Sequence, residues 1–193
     1  MPKTVCVYCA SSTQIDKSYF NAAKDLGLLL AQNNIRLIYG GGNIGLMGLL
    51  ADSVLSGGGK VTGIIPQFMI DMNWHHKHLT ELITVGSMHE RKALMASMSE
   101  AVIALPGGCG TMEELLEMIT WKQLGLFLCP IVVLNTNDYY NELIKMLDKA
   151  VDQHFMREIH SQMWSVVHDV ESIIPTINAT EKWDKTTRKF AAI

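Results

Sequence analysis

The chain has 193 residues, which suits one domain with a full-sized core rather than two small ones, and its formal net charge of −3 supplies no basic field for nucleic acid. Hydrophobic residues make up 48% and charged residues 18%, yet no apolar run approaches the roughly 18–20 residues of a membrane helix. Met1-Pro2-Lys3-Thr4 leads straight into a strand without signal-peptide architecture, so the reading is a cytoplasmic protein whose apolar excess is buried again in a subunit contact.

The apolar run Thr4–Ala10 predicts a buried strand, and helical spacing of Phe20, Ala23, Leu26 and Leu30 predicts a helix over 17–33. Ile35–Tyr39 is the second strand. Glycines follow it, then a helix over Leu46–Leu55 that Gly57–Gly59 closes as a C-cap. Val61–Ile65 is a third strand ended by Pro66, residues 67–81 read as irregular, and Leu82–Val85 as a short strand. Then come a helix at Met88–Ser99, a strand at Ala101–Leu105, a helix at Thr111–Phe127 and a strand at Ile131–Leu134. A helix over 139–152, a strand at Trp164–Val167 and a helix at 169–178 complete a domain of residues 1–180. Residues 181–193 read as a polar tail, where Lys182, Lys185, Arg188 and Lys189 are diluted by Glu181 and Asp184. This alternation predicts an α/β fold, a Rossmann-like, doubly wound parallel sheet with helices on both faces, and places ligands at the carboxyl ends of the strands.

Cys6 and Cys9 are spaced like half a zinc site, but a strand sends residues three apart to opposite faces, so they read as buried thiols. Three loops carry the chemistry. Gly40, Gly42 and Gly45 form a G-x-G-x-x-G between strand and helix, but the next strand ends Ile64-Ile65-Pro66-Gln67 without the acid that would hold a dinucleotide ribose. These glycines read as places where backbone approaches a ligand. The second loop, Pro106-Gly107-Gly108-Cys109-Gly110-Thr111-Met112-Glu113-Glu114, opens a helix and offers bare N–H groups to an anion. Thr111 and Glu114 are also spaced as a capping box. Glu113, Glu117 and Thr120 form one polar stripe on an otherwise apolar helix. Like charges at that spacing are unfavourable alone, so the stripe is expected to face the remainder of a ligand. The third segment, Met88-His89-Glu90-Arg91-Lys92, puts two cations near a helix start, against the helix dipole, either for an external anion or as surface residues paired with Glu90 or Glu100.

YGGGNIGLMG, MHERKALM and PGGCGTMEELLEMITWKQLG, in that order, resemble the "Lonely Guy" family of cytokinin riboside 5′-monophosphate phosphoribohydrolases over roughly residues 4–175. Many relatives carry the older label "possible lysine decarboxylase", but no lysine here is placed for a pyridoxal Schiff base. The resemblance assigns catalysis to Arg91 and Glu114. It assigns nucleotide contacts to Lys92, to the loop Gly108, Cys109, Gly110, Thr111, Met112 and Glu113, and to Thr120, with Ser11, Ser12 and Gly41, Gly42 and Asn43 as nearby lining. It also implies a homodimer, or a multiple of dimers, acting on a small-molecule nucleotide. The chain departs from plant-type members at Gln67-Phe68, where they carry an acid, and in a longer segment holding His75, His76 and His78, read here as solvated loop rather than metal site.

Hydrolysis of a purine nucleoside 5′-monophosphate to base and ribose 5-phosphate is the expected reaction. Glu114 would stabilise positive charge at C1′ and activate water, and the Gly108–Thr111 N–H groups would clamp the phosphate, with no metal or organic cofactor required. The rival readings are a non-catalytic nucleotide or cofactor carrier of the same fold and a dinucleotide oxidoreductase.

Overall fold

The computed structural model describes residues 1–181 and 183. Its strands are β1 (Thr4–Tyr8), β2 (Arg36–Tyr39), β3 (Val61–Pro66), β4 (Glu81–Val85), β5 (Val102–Ala104), β6 (Ile131–Leu134) and β7 (Ser165–Val167). The helices are α1 (Lys17–Gln32), α2 (Gly45–Ser56), α3 (Gln67–Asp71), α4 (Met88–Ser97), α5 (Cys109–Gln123), α6 (Asn141–Asp152) and α7 (Ile173–Ala179). The strands form one seven-stranded sheet in the order β4-β3-β2-β1-β5-β6-β7, and every pairing is parallel.

Alternation along the central strands builds two cores. Val5, Val7 and Cys9 face the layer of α1, α2 and α7, with Leu26, Leu50 and Ile173. Cys6 and Tyr8 face the layer of α4, α5 and α6, with Met95, Leu115 and Met118. The two thiols thus lie on opposite sides of the sheet, as their spacing requires. Helix ends follow local chemistry. Asp16 caps α1 by accepting from Ser18 N–H at 2.9 Å. Beyond α2, Gly58 adopts φ +79°, and the Gly58 and Gly59 N–H groups donate to the Leu55 and Val54 carbonyls in a Schellman closure. Among the described residues no helix is long and apolar enough to cross a membrane.

Three expectations are corrected. The stretch 67–81 is not wholly irregular. Helix α3 occupies its start, and after Asn73 (φ +56°) the chain runs back along the glycine loop, with Gly42 and His75 in an antiparallel bridge. Helix α5 starts at Cys109 with Gly108 as N-cap and no side-chain cap, so Thr111 and Glu114 do not form the capping box. His76 is buried, not solvated, and its Nε2 lies 2.9 Å from Asp52 Oδ1 on α2. Of the tail, residue 182 and residues 184–193 lie outside the described residues.

Candidate active site

The strand order reverses at β1. The chain leaves it for β2, β3 and β4 on one side and resumes with β5 on the other, which opens a crevice at the carboxyl edge. A cavity of about 440 Å³ fills it. Its walls come from Cys9–Ser11 after β1, Gly40 and Gly42–Ile44 after β2, Met69 and Trp74 beyond β3, Arg91 on α4, and Gly108, Gly110, Thr111, Glu113 and Glu114 around the start of α5.

At the α5 end, Gly108 has no side-chain cap to offer, and the N–H groups of the first turn point into an open mouth. A Cβ built at Gly108 or at Gly110 would meet nothing within 4 Å. Such a terminus favours an anion, because the N–H groups and the helix dipole act together. The loop itself is held from behind. Tyr139 Oη donates to the Gly107 carbonyl at 2.6 Å and Tyr140 Oη to the Leu105 carbonyl at 2.7 Å. Across the cavity Tyr39 Oη donates to the Gly42 carbonyl at 3.0 Å, fixing the other glycine loop. Gly45 (φ +65°) permits a close backbone approach there, since a Cβ would stand 2.4 Å from the Ser11 carbonyl carbon.

Arg91 is buried, and two of its three nitrogens are committed to backbone carbonyls. Nε donates to the Ile64 carbonyl at 3.1 Å and Nη2 to the Gly40 carbonyl at 3.2 Å, while Nη1 stands 3.6 Å from Glu114 Oε1. Glu114 projects from the first turns of α5 into this setting. Burial pushes its carboxyl from the ordinary 4.5 up to about 7, against the pull of the Arg91 and Lys92 charges and with a further push from Glu113 and Glu117. Lys92 is buried as well, and its ammonium is taken by Glu113 and, at 3.1 Å, by Glu117. The acids that meet the two cations are thus on α5, not the Glu90 or Glu100 that sequence offered as partners, and only Arg91 lines the cavity. α4 supplies one guanidinium facing Glu114 and one ammonium that neutralises the acidic stripe of α5.

Of the residues singled out from sequence, Arg91, Glu114, Gly108, Gly110, Thr111, Glu113, Gly42, Ser11 and Asn43 line the cavity together. Gly41 (φ +72°) lies behind the wall, its carbonyl accepting from His76 N–H at 2.8 Å. Cys109 is an exposed free thiol, and Met112 packs on the α4–α5 core. Thr120 is exposed, with its hydroxyl turned back to the Leu116 carbonyl at 2.8 Å. These three do not line the cavity. Sequence reasoning passed over the apolar wall of Ile44, Met47, Met69, Trp74, Met88 and Met95. Methionine recurring on α2, α3 and α4 was the available signal. No acid ends β3, and no lysine is among the lining residues.

The family described as "Possible lysine decarboxylase" matches residues 47–177. A cytokinin riboside 5′-monophosphate phosphoribohydrolase of Arabidopsis thaliana is 49% identical over 154 residues, 80% of this chain and 72% of that protein. A probable enzyme of the same name from Oryza sativa subsp. japonica is 43% identical over 180 residues, 90% of this chain and 79% of its own. The chain belongs to the cytokinin riboside 5′-monophosphate phosphoribohydrolase family. That membership sits beside a wider likeness of fold. The molybdenum cofactor carrier protein of Chlamydomonas reinhardtii superposes with a TM-score of 0.70 at 20% identity, covering 92% of this chain and 97% of that one. At that identity the likeness concerns architecture alone. The phosphoribohydrolase family motifs, by contrast, fall on the walls of one cavity: the β2 glycine loop, Arg91 and the start of α5.

Proposed function

We propose that the chain hydrolyses the N-glycosidic bond of purine nucleoside 5′-monophosphates, AMP or its N6-substituted cytokinin-type forms, releasing free base and ribose 5-phosphate. The observation that carries this reading is a buried carboxyl, Glu114, held near neutral pKa beside Arg91 and one turn from a bare helix N-terminus. The names of the relatives point to the same reaction.

The phosphate docks on the N–H groups around Gly108–Thr111, where geometry and dipole substitute for a basic side chain. Fixing that end lets remote binding energy serve the reacting centre. As the C1′–N bond breaks, its electron pair leaves with the base and positive charge grows on the ribose. The Glu114 carboxylate stabilises that charge and takes a proton from the attacking water, whose oxygen bonds to C1′, and the base regains a proton. Arg91 acts first on Glu114, keeping enough of it ionised at neutral pH, and ties the β2 loop to the end of β3. Glu113 and Lys92 position α5 against α4. No metal or organic cofactor enters these steps.

Residues 1–180 would work as one unit, in the cytoplasm and as a homodimer. Cys6, Cys9 and Cys109 stand outside any disulfide, which suits a reducing compartment. Exposed Leu116, Leu124, Leu126 and Met146 on and near α5 and α6 supply apolar surface for a second copy, and light scattering of the purified protein tests it.

Incubating the protein with AMP and with isopentenyl-AMP, and following free base by chromatography, tests the reaction. Base released by wild type and lost in Glu114→Gln supports the reading, and tight nucleotide binding with no release overturns it in favour of a carrier.

A further inference from the structure

Trp74 is an odd residue for packing to explain. It belongs to neither hydrophobic core and is 43% exposed, yet it lines the cavity. Its segment is fastened at several points to the loop that forms the cavity wall. The Trp74 carbonyl accepts from Asn43 N–H at 3.1 Å, His75 bridges Gly42, and His76 N–H donates to the Gly41 carbonyl at 2.8 Å. The His76 ring is locked in turn to Asp52 on α2 at 2.9 Å. On the other side, Trp74 N–H donates to the Met69 carbonyl at 3.0 Å, closing the end of α3. A large aromatic side chain is thus carried on a pinned backbone at the wall of the site, in a lining that also includes Ile44, Met69 and Met88.

Its position along the sheet edge says what it faces. The anion end of the cavity lies at β5, and the Trp74 segment is bonded to the loop after β2, with β1 between them. Neighbouring strands stand about 4.8 Å apart, so the two ends are separated by about 10 Å, the scale of a nucleotide from phosphate to base. Glu114 lies between them, carried on α5 after β5 and facing Arg91, whose other nitrogens are bonded at the ends of β2 and β3. Phosphate, C1′ and base then fall in order from α5 to Trp74.

We propose that Trp74 is the base-recognition residue of this site, with its indole stacked on the purine ring. This rests on the hydrolase reading only for the identity of the ligand as a purine nucleotide. Aromatic stacking tolerates substitution at the ring edge, so Trp74 selects for a flat heteroaromatic base rather than for one exocyclic group. The segment from Asn73 to His76, pinned to the glycine loop, is the device that presents it.

Steady-state kinetics of wild type, Trp74→Ala and Trp74→Phe on AMP, with inhibition by adenine and by ribose 5-phosphate, test the proposal. Trp74→Ala should raise KM for AMP about tenfold and weaken adenine inhibition in parallel, with kcat little changed. Ribose 5-phosphate inhibition should stay at the wild-type level, and Trp74→Phe should recover most of the loss. Unchanged KM and adenine inhibition in Trp74→Ala overturn it. So does parallel loss of ribose 5-phosphate inhibition, which would mark Trp74 as a support for the loop. Calorimetric AMP binding to the Glu114→Gln protein separates the two readings. Binding that Trp74→Ala weakens upholds the stacking even if wild type proves unable to hydrolyse AMP, and binding that it leaves intact refutes the stacking alone. Absence of AMP binding overturns both.

Discussion

Arg91 Nη1 and Glu114 Oε1 face each other at 3.6 Å, with both side chains largely withdrawn from solvent. The separation is long for a charge-assisted hydrogen bond, and the other two guanidinium nitrogens are already spent on the Ile64 and Gly40 carbonyls. Arg91 therefore lowers the cost of ionising Glu114 without cancelling it, and burial still carries the carboxyl up to about 7. Because the folded value lies above the ordinary 4.5, the folded chain binds more protons than the unfolded one between those limits, so stability falls as pH rises through that window. At pH 8 the ionised Glu114 costs up to about 3 kcal/mol. Glu114→Gln is expected to lose about 10²–10⁴ in kcat and yet to melt higher than wild type at pH 8. The difference in Tm should vanish near pH 4, where both side chains are neutral. Thermal unfolding at the two pH values checks this, and a lower Tm at pH 8 would contradict it.

The same balance predicts how the pH–rate profile responds to its neighbours. If Glu114 acts as a carboxylate, kcat/KM rises with pH through about 7. Arg91 and Lys92 both pull the Glu114 value down, and Glu113 and Glu117 push it up. Lys92→Met removes one pull and leaves two acids without their cation, so the acid limb should move to higher pH. Arg91→Gln should move it further, since its effect on Glu114 is the larger. Titration of the substrate phosphate is common to all three proteins and drops out of the comparison. Limbs that coincide would show that another group governs the profile.

Most of the order of strands and helices was legible because the buried strands are short apolar runs and the longer helices carry periodic apolar faces, as in Val5–Tyr8 and Phe20–Leu30. The two glycine loops and Arg91 with Glu114 were legible as motifs. What sequence hid was the partner of each charge. The acids that meet Lys92 were hidden because Glu113 and Glu117 lie more than twenty positions away, on a helix that meets α4 only once the sheet has formed. The capping-box spacing of Thr111 and Glu114 misled for a similar reason. The turn begins at Gly108, which places Thr111 inside the helix beneath Gly107 and frees Glu114 for the cavity. The Trp74 wall and the buried His76–Asp52 pair were hidden because the 67–81 segment is ordered by long-range backbone bonds to the glycine loop, which leave no periodicity in its own sequence.

Tyr139 is expected to act on the anion end from outside it. Its hydroxyl donates at 2.6 Å to the Gly107 carbonyl, and its ring meets Tyr140 edge-on at 5.1 Å between centroids. Tyr139→Phe keeps the ring contact and deletes the donor, for about 1 kcal/mol of stability. The loosened loop should weaken ribose 5-phosphate inhibition more than adenine inhibition. Equal changes in the two would place the effect elsewhere.

Paired glycine substitutions separate the loop's fold from its ligand contact. At Gly107 a new Cβ would fall 2.1 Å from Thr111 Oγ1, in a place the helix already fills. Gly107→Ala should therefore destabilise the protein, by about 1–3 kcal/mol for overpacking. Gly108 differs on both counts. Its φ of −78° suits any L residue, and its Cβ direction is open. Gly108→Ala should leave Tm within about 1 kcal/mol of wild type in free-energy terms, while the methyl stands where a phosphate must approach the N–H groups. KM for AMP should rise several-fold, and ribose 5-phosphate inhibition should weaken with it, with adenine inhibition unaffected. A Gly108→Ala protein with wild-type KM would mean that the phosphate does not sit on this helix end.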